Sequence, residues 1–299
     1  MAEKWKSKEI QEWYKKQKIQ RSYHDEVVSK LDGCTDSFNI KTYASLDVEE
    51  KNYAFYALES KNFDKKKACV LITGGVHGYE TSGIKGALDF LLANSKNYLE
   101  YFNFIIVPCI SPWAYESINR WNAKAIDPNR NFVPNSSSEE ARFLYEYINS
   151  LKREFLLHVD LHETTNSDNT IYRPALAKRD GIEVKDWEIP DGFYLVGDVN
   201  APNHDFQEAI IKEVKKVTKI APSDKNNRII GESISQEGVI NYEIKALGLC
   251  TGFTNAAFNT TTEVYPDSKN VSEEECIKAQ VVTICSALEY LIKNKSYTL

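Results

Sequence analysis

The sequence predicts one α/β domain over residues 1–299, a mixed, mostly parallel central sheet with helices on both faces. Three observations predict it. β-rich apolar runs at 68–72, 104–110, 155–161 and 258–265 read as strands, most of them buried. Helical periodicity separates them, with Ile84, Ala87, Leu88 and Leu91 on one face of a first helix, Ala141, Leu144, Ile148 and Leu151 of a second, and Ile277, Val281, Ile284, Leu288 and Leu291 of a last. No internal repeat, low-complexity linker or composition break divides the chain, and such alternation builds a sheet covered by helices.

Taken in order, residues 1–30 are dense in Lys, Glu and Gln with Trp5, Trp13, Tyr14 and Ile19 interspersed, the pattern of an amphipathic helix lying on the surface. Residues 53–58 alternate as an early strand, and a charged turn at 62–67 leads into the 68–72 strand. Gly74 and Gly75 follow that strand, His77 and Glu80 occupy the loop, and Thr81 or Ser82 is the expected N-cap of the next helix. The 104–110 strand closes at Ser111 and Pro112. Residues 120–132 are rich in turn formers and read as a long loop, a common place for functional side chains. Ser137 with Glu140 forms a capping box before the second helix. The 155–161 strand ends at His162, and 163–192 reads as a polar loop region. A strand at 193–199 precedes a helix marked by Phe206, Ile210, Val214 and Val217, and two or three short strands fit 221–260. Ser272 with Glu275 opens the terminal helix.

Composition narrows the function classes. With 42% hydrophobic and 27% charged residues, the chain is an ordinary globular protein rather than a disordered one. A formal net charge of -6 provides no basic excess to neutralise phosphates, so no nucleic-acid partner is expected. The amino terminus has no apolar h-region, and no apolar run approaches the roughly 20 residues of a membrane span. The six cysteines are scattered without a C-x-x-C pair, which fits free thiols in a reducing compartment, and a cytoplasmic protein without a membrane partner is expected.

Chemistry concentrates at three strand ends, which carry His77 with Glu80, His162, and Glu263. Carboxyl ends of strands converge on the ligand crevice of such folds. Two histidines and a glutamate with a fourth position open make a catalytic zinc constellation. Each piece alone has a plainer reading. A lone His-x-x-Glu is more often a surface pair, His162 could bond backbone at a strand end, and Glu263 could be a solvated edge residue. His158 is expected to be buried, and His24 and His204 need no role.

Four motifs together carry a resemblance: Gly75-Val-His77-Gly-Tyr-Glu80, Asp127-Pro-Asn129-Arg130-Asn-Phe132, Asp160-Leu-His162 and Thr262-Glu263. In this order they resemble the motif series of the zinc carboxypeptidase superfamily, which includes carboxypeptidase A-like enzymes and the aspartoacylase/succinylglutamate desuccinylase branch. The resemblance implies one zinc ion per chain, held by His77, Glu80 and His162. It implies Glu263 as the general base for the attacking water and Arg120 as the group that polarises the scissile carbonyl or stabilises its oxyanion. Asn129 and Arg130 would clamp a substrate carboxylate, and Asp127 would support a ligand histidine. The chemistry suits these roles: zinc acidifies water, a carboxylate moves its proton, and a guanidinium pairs with a carboxylate through two parallel hydrogen bonds.

The sequence departs from the pattern at Pro128, which stiffens the turn before the arginine. Glu243 is a rival for the base, and Tyr242 could be a substrate-facing tyrosine. Glu263 is preferred because a strand precedes it and one terminal helix follows. The expected function is therefore a zinc-dependent metallocarboxypeptidase cutting the amide beside a free carboxylate. The alternative is a zinc-dependent deacylase of N-acyl amino acids, favoured by the compact spacing of His77 and His162. A non-catalytic binding protein on the same scaffold is a third reading, opposed by the presence of every catalytic side chain. The substrate is expected to be a peptide or N-acyl amino acid. Side-chain specificity and oligomeric state are not legible.

Overall fold

The computed structural model describes residues 4–183 and 187–296. Among them, ten strands form one sheet: β1 (Phe38–Val48), β2 (Lys51–Ser60), β3 (Ala68–Gly74), β4 (Phe102–Val107), β5 (Phe155–Glu163), β6 (Tyr194–Asp198), β7 (Arg228–Ile229), β8 (Glu232–Gln236), β9 (Val239–Tyr242) and β10 (Phe258–Val264). Their order across the sheet is β1-β2-β4-β3-β5-β10-β6-β9-β8-β7. The sheet is mixed. β4, β3, β5 and β10 run parallel at the centre, where both faces are covered, as does the β6–β9 pair. Antiparallel pairing takes over at the flanks and between β10 and β6.

The period of two sorts the central strands between two cores. In β3, Val70 and Ile72 join the larger core, while Cys69 and Leu71 join the second. The larger core is covered by α3 (Thr81–Asp89), α7 (His204–Val214) and α8 (Glu273–Lys293), with α8 packed against both of the others. The second is covered by α5 (Glu139–Ser150), through Ala141, Leu144 and Ile148. In β5, Leu157, Val159 and Leu161 face the larger core, so His158, Asp160 and His162 share the opposite face.

Several elements differ from expectation, each for a local reason. The amino-terminal stretch is not one helix. α1 (Ser7–Tyr14) stops, and a second helix, α2 (Tyr23–Glu26), restarts after the Ser22 cap. Between them, Gln20 and Arg21 donate their backbone N–H groups to the Glu116 carbonyl, a tertiary contact that helix continuation would forfeit. Residues 1–3 of that expectation lie outside the described residues. β1 lies outside the expected strands; a bulge between Thr42 and Ala44 interrupts its alternation, with Thr42 exposed and Tyr43 half-buried. Pro112 opens a helix, α4 (Pro112–Ser117), because proline suits a first helical turn. The polar 163–192 region contains α6 (Arg173–Asp180), which buries no residue and so has no apolar stripe to reveal it. Ser138, not Ser137, caps α5, accepting from the Ala141 N–H.

All six cysteines are free, five of them buried. No helix among the described residues is long and apolar enough to cross a membrane.

Candidate metal centre and active site

The site forms where β3, β5 and β10 end. The chain leaves β3 through Gly75, in a left-handed conformation at φ 62°, and passes hard against α4. A Cβ on Gly78 would stand 1.9 Å from the Ala114 carbonyl carbon, so only glycine lets this loop approach. That approach sets His77 and Glu80 at the mouth of the strand. Glu80 occupies the N-cap position of α3, where Thr81 or Ser82 was expected, yet its side chain caps nothing. Its two carboxylate oxygens instead face two imidazoles, His77 Nδ1 at 2.7 Å and His162 Nδ1 at 2.7 Å.

The opposite nitrogens of both rings are also held by carboxylates. His77 Nε2 lies 3.0 Å from Asp127 Oδ1, and His162 Nε2 lies 2.8 Å from Asp160 Oδ2. Asp127 and Asp160 can only accept, so each holds an Nε2–H, and the Nδ1 atoms that face Glu80 are the ring nitrogens a metal ion would take in place of a proton. The ligand atoms of His77, Glu80 and His162 lie within 4.8 Å of one another, and all three residues are buried. Three buried carboxylates, Glu80, Asp127 and Asp160, surround these two imidazoles. Such a concentration of buried negative charge calls for a cation. Two imidazole nitrogens and a carboxylate oxygen at this separation suit zinc, and the donor set fits a metal of that class. Burial alone would raise the Glu80 carboxyl, but His162 and His77 outweigh it and hold it well below the usual carboxylate range.

Glu263 stands beside His162 in the parallel β5–β10 register. The Thr164 hydroxyl donates to its Oε2 at 2.8 Å, and that threonine also meets the Tyr194 hydroxyl at 2.7 Å. Burial pushes the Glu263 carboxyl up to about 8, with the Glu80 charge adding and His162 opposing. Glu243, the rival base, is exposed on the surface, whereas Glu263 and Tyr242 both line the cavity.

The 120–132 loop supplies the remaining groups, with a short turn at Pro128–Arg130. Asp127 caps that turn by accepting the Asn129 N–H at 3.0 Å. Arg120 donates through Nε to Asp127 Oδ2 at 3.0 Å, so one aspartate links the arginine to His77. The Asn129 side chain is partly engaged: its Oδ1 accepts the Cys250 N–H at 2.9 Å, while Nδ2 points to His162. Arg130 is exposed in the cavity, and its hydrogen bond goes to the Asn129 carbonyl at 2.6 Å, with no carboxylate partner among the described residues. His158 is buried against Thr73 and Phe253, and burial pushes it down to about 4, a core histidine away from the metal ligands. His24 and His204 are exposed.

Three supporting residues were not singled out from the sequence. Asp160 was quoted only as part of a motif, although its place two residues before His162 on a strand puts both on one face. Thr164 and Asp168 gave no signal, because polar loop residues have no periodicity to read. The cavity that collects these groups measures about 1060 Å³. Its rim takes Trp5 and Ile10 from the amino-terminal segment and Trp187 from beyond α6.

The fold and this constellation assemble a candidate metal centre with a carboxylate beside it. The family model described as the succinylglutamate desuccinylase/aspartoacylase catalytic domain matches residues 66–188, which contain all three candidate ligands. Similar solved structures extend the likeness across the chain. A protein of Shewanella denitrificans proposed to be a metallopeptidase shares 17% identity with a TM-score of 0.65, covering 88% of this chain and 88% of that one. The metallo-carboxypeptidase of Burkholderia cenocepacia shares 14% identity at TM-score 0.64, covering 92% of this chain and 70% of that one. The carboxypeptidase A of Helicoverpa armigera shares 14% identity at TM-score 0.60, covering 91% and 74%. No curated protein matches the sequence. Residues 66–188 thus match the desuccinylase/aspartoacylase catalytic domain, and the chain as a whole shares the fold of these carboxypeptidase structures.

Proposed function

We propose that the chain is a metallocarboxypeptidase, hydrolysing the amide bond next to a free carboxylate with one zinc ion held by His77, Glu80 and His162. The observation that carries this reading is one cavity of about 1060 Å³ lined by two of the ligands, His77 and Glu80, together with Glu263 and an unpaired Arg130, while His162 closes the ligand set behind Glu80. That volume lies at the upper end of the range for small-molecule sites and has room for more than a short N-acyl amino acid.

A zinc ion there would supply Lewis acidity and acidify water near neutral pH. The protein's own groups do the rest. Asp127 and Asp160 fix the tautomer and aim of the two histidines. Glu263 takes the proton of the attacking water and passes it to the leaving amine. Its Oε2 is anchored by Thr164, which leaves Oε1 for the exchange. Arg120 donates to the oxyanion as the carbonyl carbon becomes tetrahedral. Arg130 pairs with the substrate carboxylate, and the Nδ2 of Asn129 is the second donor nearby.

The desuccinylase/aspartoacylase model over residues 66–188 favours a second reading, deacylation of N-acyl amino acids. One assay separates the two. Free-C-terminal dipeptides should be cut faster than N-acetyl or N-succinyl amino acids at equal concentration. The reverse order would make the chain a deacylase, and cleavage of neither class would reject both.

A further inference from the structure

Arg120 is held from two sides, and only one of them, Asp127, belongs to the motifs read in the sequence. Asp127 takes Nε, while Nη1 donates to Asp168 Oδ1 at 3.2 Å and to the Tyr79 hydroxyl at 3.2 Å. Tyr79 in turn donates its hydroxyl to the same Asp168 oxygen at 2.8 Å. Its ring lies parallel to His77, 8° between planes at 6.0 Å, and is stacked on Tyr172 at 4.8 Å. The contacts close a loop running from His77 through Asp127, Arg120, Asp168 and Tyr79 back to His77.

From this geometry we infer that Asp168 is a positioning residue, which fixes the Arg120 guanidinium in the orientation that meets the developing oxyanion. This rests on the oxyanion role proposed for Arg120. A long side chain held only through Nε could still swing its two terminal nitrogens, and a second anchor at Nη1 stops that rotation. Asp168 divides its two oxygens between different jobs. Oδ2 accepts the Thr165 N–H at 2.7 Å and shapes the local turn, while Oδ1 serves Arg120 and Tyr79. Asp168 is buried, so the Oδ1 contacts are shielded from solvent. Because it opens the turn Asp168–Tyr172 that leads into α6, it also couples the cavity's outer wall to the reacting centre.

The division of oxygens provides the test. In Asp168→Asn, the amide oxygen can keep the turn while the amide nitrogen, a donor, faces the donor groups of Arg120 and Tyr79. An interaction used mainly in the transition state lowers kcat rather than raising KM. The expected result, with the better of the dipeptide and N-acyl substrates, is a kcat lowered about 10- to 100-fold with KM changed less than about 3-fold. Zinc content and thermal midpoint should stay at the wild-type values, and Asp168→Glu should recover part of the loss. Asp168→Asn added to Arg120→Ala should cost nothing further, because the group it aims is gone. Undiminished kcat in Asp168→Asn beside an impaired Arg120→Ala would overturn the inference and leave the Arg120 assignment standing. Additive losses, or lost zinc with normal turnover per loaded chain, would overturn it too. Normal kcat in Arg120→Ala would reject the oxyanion role and this inference together.

Discussion

Glu263→Gln is expected to keep its zinc and lose its turnover, by about 10²- to 10⁴-fold in kcat. Glu263 touches none of the three ligand side chains through a hydrogen bond. Its recorded partner is the Thr164 hydroxyl, which a glutamine oxygen could still accept. The amide is nearly the same size as the carboxylate, so the neighbouring strand register and the metal centre should survive. What disappears is the ability to accept a proton and return it. His162→Ala is the contrasting variant and should lose both metal and activity, because it removes one of three ligands and leaves Asp160 and Glu80 facing a void. Zinc measured alongside kcat in both variants separates proton transfer from metal binding. An active Glu263→Gln would remove this residue from the mechanism, and the exposed position of Glu243 offers no ready replacement.

Arg130→Ala is expected to erase the enzyme's preference for a free carboxylate. In the wild type, a peptide with a free C-terminus should be cut while its C-terminal amide is nearly inert. Leaving a guanidinium unpaired in the bound complex costs roughly 2–5 kcal/mol, or about 30-fold to several thousand-fold in kcat/KM. Arg130 is suited to this reading because its hydrogen bond goes to a neighbouring carbonyl rather than to an acid. Arg120 is not a substitute, since Asp127 and Asp168 hold its Nε and Nη1, which leaves no pair of parallel donors for a carboxylate. The ratio of rates on free and amidated peptides should therefore approach one in Arg130→Ala. Equal rates in the wild type would reject the carboxylate role altogether.

The strand-end chemistry was legible because the signals are local. His77 and Glu80 follow a buried strand and two glycines, Asp160 and His162 share a strand face, and Glu263 sits at the end of a β-branched run. The loop holding Asp127, Asn129 and Arg130 was visible as turn-forming residues, and the resemblance implied that Asp127 meets a ligand histidine, but the work of the Asn129 oxygen was not visible. The Asn129 oxygen serves the Cys250 backbone, a contact across 121 positions that no local pattern encodes. α6 escaped because it is fixed by stacking rather than by apolar burial, with Arg173 over Trp187 at 4.3 Å and Arg179 over Trp121 at 4.5 Å. The amino-terminal helix was overextended for a related reason. Its composition reads as helix over residues 1–30, but backbone bonds to Glu116 and the packing of Trp13 on Trp113 and Trp121 decide where it ends. Glu263 is preferred to Glu243 from topology alone; in the structure Glu263 lines the cavity and Glu243 lies exposed.

Metal content measured together with activity tests the central claim most directly. Protein purified without chelator should contain about one zinc equivalent per chain, as a centre with three protein ligands and an open position requires. Dialysis against a chelator should abolish hydrolysis of the better substrate, and one equivalent of zinc should restore it. Full activity in protein exhaustively freed of metal would contradict the assignment of His77, Glu80 and His162 and every role built on it.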